Sequence, residues 1–449
     1  MYLYNTLSGK KEKLAKPKNR ALKLFVCGPT VYDHSHIGHA RTYLVFDIFV
    51  RYLRSLGIKV FYLQNITDID DKIIDRAKKE KKKPLELSRS FEKEYYRDMK
   101  ALGINTVNRY ARASGFIKEI KNQIGVLIKK GFAYQTRNGI YFEIKKFKDY
   151  GKLSRQKLNE VRHGWRIEPD PQKKDPLDFA LWKGPWGAGR PGWHIEDTAI
   201  SEKFFGPQYD LHGGAIDLKF PHHESEIAQQ ESASGKKPFV KIWMHTGFLL
   251  VKGEKMSKSL GNFITIRDFL KKFPPEVLRM IILTHHYRSP INYTERLAAD
   301  AQKNLQTIAE FLNNLTVVQK NKKAERIDGV DMVKYEIKFK EALADDFNTP
   351  KALAATFELI NSFRKNIMVL SQNEARALSD FLQRKFKIFG LTFKKEKTPA
   401  QIKSLIKERE KLRLSGNFQE ADRLRKKLQA LGYSIEDTVV GPLIKPIKR

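Results

Sequence analysis

Apolar residues first gather in the run LKLFVCGP at 22–29, which predicts a short buried strand closed by the Gly28-Pro29 turn. From His36 the period lengthens. Ile37, Ala40, Tyr43, Leu44, Phe46, Phe49, Val50 and Leu53 crowd one side of a helix, and Gly57 supplies its stop. Val60-Phe61-Tyr62-Leu63 begins another strand, ending at Asn65. Strand, helix, strand predicts a parallel α/β sheet, whose ligands bind beyond the carboxyl ends of the strands. Cys27 and the run NITDIDD at 65–71 both fall there.

From about 112 to 190 the texture changes. Ala133–Thr136 and Ile140–Glu143 flank Arg137-Asn138-Gly139, a hairpin signal. Pro169, Pro171, Pro176, Pro185 and Pro191 mark irregular loops. This stretch reads as an insertion, with the sheet resuming near Trp193. From about 299 the pattern is helical almost throughout. The charged linker KKEKTP at 394–399 precedes a last unit, with helices near 400–414 and 418–431 and then Gly432-Tyr433-Ser434-Ile435. No internal repeat is present.

The most apolar helical stretch, Tyr43 to Leu56, is interrupted by Asp47, Arg51 and Arg54, so no membrane span is expected. The start, Met1-Tyr2-Leu3-Tyr4-Asn5, carries no signal-peptide pattern, and a cytoplasmic protein is expected. The 449 residues suggest several domains. Lys plus Arg number 85 against 51 Asp plus Glu, a net +34, which favours a polyanionic partner without distinguishing RNA, DNA and an anionic membrane. Cys27 is the only cysteine, which excludes an internal disulfide. The run Lys78–Lys83 reads as a solvated helix end or loop.

Three groups of residues carry candidate chemistry. His36-Ile37-Gly38-His39 opens the first helix, where free amides and the helix dipole suit phosphate. His36 and His39 share a face and can both donate to phosphate oxygens, while Gly38 lets a flat base approach. Two ordinary helical histidines explain the tetrapeptide equally well. Lys255 and Lys258 sit among small polar residues and can neutralise charge on a leaving pyrophosphate; in a lysine-rich chain that string means little alone. His222 and Glu226, at i and i+4, can offer two ligands to one metal, with His223, Glu224 and Ser225 as outer partners or packing, though a solvated helical cluster explains the string as well; Cys27 is a candidate third ligand or a buried inert cysteine. No G-x-x-x-x-G-K-[ST] or G-x-G-x-x-G is present, so neither a P-loop nor a dinucleotide fold is indicated.

HIGH at 36–39 with KMSKS at 255–259 is the pairing of class I aminoacyl-tRNA synthetases. Nearly the whole chain resembles the cysteinyl-tRNA synthetase family. The matching strings are CGPTVYD (27–33), HIGHAR (36–41), NITDIDDKII (65–74), GRPGWHIE (189–196), DLHGG (210–214), FPHHESEIAQ (220–229), GEKMSKSLGNF (253–263) and DDFNTPKALA (345–354).

The resemblance implies a Rossmann-like α/β catalytic domain with an inserted connective domain, an α-helical bundle and a small C-terminal anticodon-binding unit. The boundaries expected are 1–111 and 191–240 for the catalytic domain, 112–190 for the insertion, 241–298 for a stem-contact region with the KMSKS loop, 299–393 for the bundle and 394–449 for the last unit. It implies ATP-dependent attachment of L-cysteine to tRNA-Cys through cysteinyl-adenylate. ATP, accompanied by Mg²⁺, would be held by Thr30, His36, Gly38, His39, Lys255 and Lys258, with the histidines and lysines acting in catalysis. Zinc would be held by Cys27, Asp197, His222 and Glu226 and would select cysteine by taking its thiolate, with Cys27 and Trp193 beside the substrate side chain. A monomer is implied.

Asp197 departs from the family, which has cysteine there. A carboxylate keeps the ligand charge but is harder and shorter in reach, so zinc is expected to bind more weakly. A non-catalytic tRNA-binding paralogue, or a related cysteine ligase with another substrate, are the alternatives.

Overall fold

Five parallel strands form the central sheet, in the order Val240–Thr246, Tyr209–Ala215, Leu22–Val26, Val60–Ile66, Arg109–Arg112. In this computed structural model the described residues are 1–156, 170–257, 260–319, 331–393, 399–438 and 441–446. The chain leaves the central strand Leu22–Val26 toward Val60–Ile66 on one side and later fills the other side with Tyr209–Ala215. The strand order therefore reverses between Leu22–Val26 and Tyr209–Ala215. Such a switch point opens a crevice at the carboxyl ends, and Cys27, whose amide donates to Gly213 O, stands in it.

The helix Ile37–Ser55 crosses over as expected, and Gly57 follows it with a φ of +70°. Its polar interruption is paired. Asp47 is fully buried and accepts from Arg279 Nη1 and Arg51 Nε, both at 2.8 Å, and from Thr106 Oγ1 at 2.9 Å. Burial works against its charge, but the two guanidinium groups outweigh that and hold its carboxyl below the usual range.

The hairpin of the insertion pairs Ala133–Gln135 with Gly139–Phe142, and Phe179–Lys183 and Arg190–Pro191 extend it into an antiparallel sheet. One expectation is corrected here. The sheet does not resume near Trp193: the helix Ile195–Phe205 comes first, and the next central strand begins at Tyr209. Eight residues of that helix are buried, polar and apolar alike, so its sequence lacks the one-sided pattern by which a surface helix is read. A hairpin of Tyr2–Asn5 with Lys10–Lys13 also went unforeseen, because its second strand is entirely charged.

The chain divides into two units, 1–299 with 342–350 and 300–341 with 351–449. Within the second, Gln372–Ile388, Ala400–Leu414 and Phe418–Ala430 are helices, and Tyr433–Thr438 pairs antiparallel with Gly441–Pro446. Ser371 and Glu374 form a capping box that starts Gln372–Ile388. Arg409, 1% exposed, reaches both carboxylate oxygens of Asp437 at 2.7 and 2.8 Å. No helix among the described residues is long and apolar enough to cross a membrane.

Candidate active site and metal centre

His36 caps the helix it opens. Its Nδ1 accepts from the amides of Gly38 at 3.0 Å and His39 at 3.4 Å, while His39 Nδ1 accepts from the His36 amide at 3.4 Å. The remaining first-turn amides are also engaged: Ile37 donates to Ile264 O and Ala40 to His36 O. The expected free amides are therefore absent from this helix start. The rings replace them. With Nδ1 accepting, each neutral imidazole carries its proton on Nε2. The two rings stack with centroids 3.8 Å apart. Burial first, then the His39 ring and Lys255, push His36 down to about 2, and burial pushes His39 down to about 4. At neutral pH both are uncharged donors.

Gly38 is required by these rings. A Cβ there would stand 2.8 Å from His36 Cε1 and 2.8 Å from the Met256 methyl. The two nucleotide motifs thus meet at one point. Lys255 ends a short strand, Glu254–Lys255, paired with Leu250 and Val251. Its Nζ lies 2.6 Å from Asp217 Oδ2. Asn262 Oδ1 accepts from the Ser257 amide at 2.8 Å. Lys258 lies outside the described residues.

Four further elements converge beyond the sheet. Cys27 follows the central strand, Asp197 lies in the first turn of Ile195–Phe205, His222 in the turn Lys219–His223, and Glu226 in the helix Glu224–Ser234. One ligand atom from each of these four buried residues lies within 4.8 Å of the others. His222 Nε2 is 3.1 Å from Asp197 Oδ2 and 2.9 Å from Glu226 Oε1. Its Nδ1 is 2.7 Å from His194 Nδ1. Trp193, 39% exposed, stacks on the His222 ring at 4.1 Å.

The electrostatics of the four groups suit a cation. Burial, reinforced by Asp197 and Glu226, drives the Cys27 thiol well up. Burial raises Glu226 to about 7, against the pull of His222. Burial disfavours charge on His222, yet Glu226 and Asp197 outweigh it and lift the ring to about 10. Asp197 Oδ1 and Glu226 Oε2 are buried with no hydrogen-bond partner, which is costly unless something positive meets them. A sulfur, a nitrogen and two oxygens fit a tetrahedral zinc ion.

Thr30 bridges to Thr67 and, with Trp193, Arg190 and Phe220, lines a cavity of about 560 Å³ beside this cluster. Sequence reasoning missed two histidines, His212 and His245, and placed His223 among outer partners or packing. His212 and His223 lie with Nε2 at 3.3 and 3.0 Å from Cys27 Sγ, and His245 Nε2 is 2.8 Å from His223 Nδ1. His212 stands inside the DLHGG string. The two glycines after it are the signal, since a Cβ on Gly214 would come within 2.7 Å of the His223 ring.

Residues 13–303 match the tRNA synthetases class I (C) catalytic domain, 338–394 the DALR domain and 395–439 the cysteinyl-tRNA ligase anticodon binding domain. The cysteine–tRNA ligase of Thermococcus onnurineus is 44% identical, covering 99% of both chains. That of Methanococcus maripaludis is 45% identical over 97% of both. Among solved structures, Mycobacterium tuberculosis methionyl-tRNA synthetase with methionyl-adenylate superposes with a TM-score of 0.63 at 15% identity, covering 82% of this chain and 89% of that one, a likeness of fold alone.

Proposed function

Because the chain belongs to the cysteine–tRNA ligase family of class I synthetases, we propose that it activates cysteine as an adenylate at the two motifs described and selects it at a zinc ion held by Cys27, Asp197, His222 and Glu226. The observation that supports the metal assignment is the convergence of four buried ligand atoms, one each from Cys27, Asp197, His222 and Glu226, within 4.8 Å of one another, with Asp197 Oδ1 buried and without a hydrogen-bond partner.

ATP, with Mg²⁺, lies with its phosphates against His36 and His39. As neutral Nε2–H donors they follow the developing charge without adding a formal charge to the ground state. Lys255 exchanges Asp217 for the departing pyrophosphate, and Lys258 is assigned the same work by its motif. The substrate carboxylate oxygen attacks the α-phosphorus, and the bond to the bridging oxygen breaks to release pyrophosphate. No protein nucleophile is needed; the chain supplies position and charge. The terminal ribose hydroxyl of tRNA-Cys then takes the cysteinyl group and AMP leaves. Thr30 and Gly38 shape the nucleotide side of the cavity.

Bound zinc would supply a soft Lewis-acid contact for the substrate thiolate. Serine offers a poor ligand there and valine none, so one contact can discriminate without a second, editing site. Trp193, stacked on His222, flanks the substrate side chain. The ligase acts in the cytoplasm, as a monomer. The test is charging of tRNA-Cys with cysteine, serine and valine, before and after chelation. Cysteine charging that disappears on chelation and returns with zinc supports the reading. Chelator-insensitive charging refutes the metal's part in it.

A further inference from the structure

Cys27 Sγ has neighbours on two sides. Asp197, His222 and Glu226 make one set with it. On the other side stand His212 and His223, fully buried, with Nε2 at 3.3 and 3.0 Å from the sulfur. Cys27, His212, His223 and Glu226 also come within 4.8 Å of one another, so the chain offers an ion two overlapping places. Charge favours the first set. It holds a thiolate and two carboxylates, and the unpartnered Asp197 Oδ1 belongs to it alone. His222 also has the outer partner that ligating histidines usually have, in His194.

We infer that His212 and His223 are positioning residues that each donate an Nε2–H to the metal-bound sulfur of Cys27. A metal-bound thiolate carries no proton, so both contacts must be made by imidazole N–H groups. Each ring must then accept at Nδ1, and a donor is present for each; at His212 Nδ1 the Tyr209 hydroxyl is at 2.6 Å, inside Glu226 Oε2 at 3.5 Å, whose charge the bound ion would take up. Tyr209 Oη lies 2.6 Å from His212 Nδ1. His245 Nε2 lies 2.8 Å from His223 Nδ1, and Thr6 Oγ1 lies 2.9 Å from His245 Nδ1. Tyr209 O–H donates to His212; Thr6 O–H donates to His245, whose Nε2–H donates to His223. Each of these contacts then has one proton, and both Nε2–H groups face the sulfur.

Hydrogen bonds to an anion are stronger than those between neutral groups. Two of them draw charge from Cys27, which carries the set's only sulfur because Asp197 replaces the family's second. The ion is left a stronger acceptor for a substrate thiolate. This inference rests on the zinc reading above, and the experiment separates the two.

The experiment is X-ray absorption on the zinc-loaded full chain and the sulfur-to-cobalt charge-transfer band of the Co²⁺-loaded chain, for wild type, His212→Leu, His223→Leu and His223→Gln. The zinc shell is expected to hold one sulfur and one imidazole. The band should move to longer wavelength in both Leu variants, because a thiolate without N–H donors gives up charge more readily. It should return toward wild type in His223→Gln, whose amide N–H can reach the same place. Apparent zinc affinity should fall about 10–100-fold in the Leu variants. If a Leu variant does not fold, Thr6→Val removes only the far end of the relay and should give a smaller shift in the same direction. Two imidazoles in the zinc shell, or an unmoved band in folded Leu variants, overturn the inference while leaving a metal site. A chain that takes up neither metal overturns the zinc reading and this inference together.

Discussion

His222 Nε2 lies 3.1 Å from Asp197 Oδ2. The carboxylate occupies the space that a ligand needs and leaves Oδ1 buried and unpartnered. Asp197→Ala should therefore lower zinc affinity by more than the roughly 10–100-fold expected for losing an outer partner. Asp197→Cys should bind zinc more tightly than wild type. Competition with a chromogenic chelator measures both.

Gly38→Ala separates stability from catalysis. In an ordinary helix the change stabilises by about 1 kcal/mol. Here the new Cβ meets the His36 ring and the Met256 methyl at 2.8 Å. The expected result is little change in melting temperature and a loss of about 100-fold in cysteine-dependent pyrophosphate exchange, as the capping ring is displaced.

The nucleotide histidines impose a pH dependence on stability. Folding pushes His36 to about 2 and His39 to about 4, from an ordinary value near 6.5. Between about pH 6.5 and 4 the unfolded chain binds more protons than the folded one. Their contribution is full above 6.5 and is lost as pH falls. The slope is at most about 1.4 kcal/mol per pH unit for each ring, and less here because both keep a solvent-facing edge. Melting temperature should fall between pH 7 and 5, and fall less steeply in a His36→Gln, His39→Gln double variant.

Arg409 is buried against Asp437 in the second unit. Arg409→Met should destabilise that unit by about 2 kcal/mol, since it removes two charge-assisted hydrogen bonds. The residues proposed to activate cysteine all lie in the first unit. Pyrophosphate exchange should persist at temperatures where tRNA charging is already lost.

The parts that were legible in the sequence have a strong local signature. The period of residues 37–53 and the run 22–26 gave the βαβ unit, and the i, i+4 spacing put His222 over Glu226. The helix Ile195–Phe205 was not legible because burial on all sides removes its periodic contrast. The capping role of His36 was hidden because His is not a common N-cap residue. His212 and His223 come from a strand and a turn far from Cys27 in sequence, and only the fold brings them to it, with His245 of the neighbouring strand against His223. Asp197 was legible only by comparison with a family pattern, as an exception to it.

The most direct test of the account is cysteine-dependent ATP–pyrophosphate exchange on metal-quantified protein, for wild type, metal-stripped wild type and Asp197→Cys. The account predicts about one zinc per chain in wild type, with exchange that stripping abolishes and zinc restores. Wild-type protein without zinc or exchange, with both recovered in Asp197→Cys, would contradict it and would mean that Asp197 disables the site.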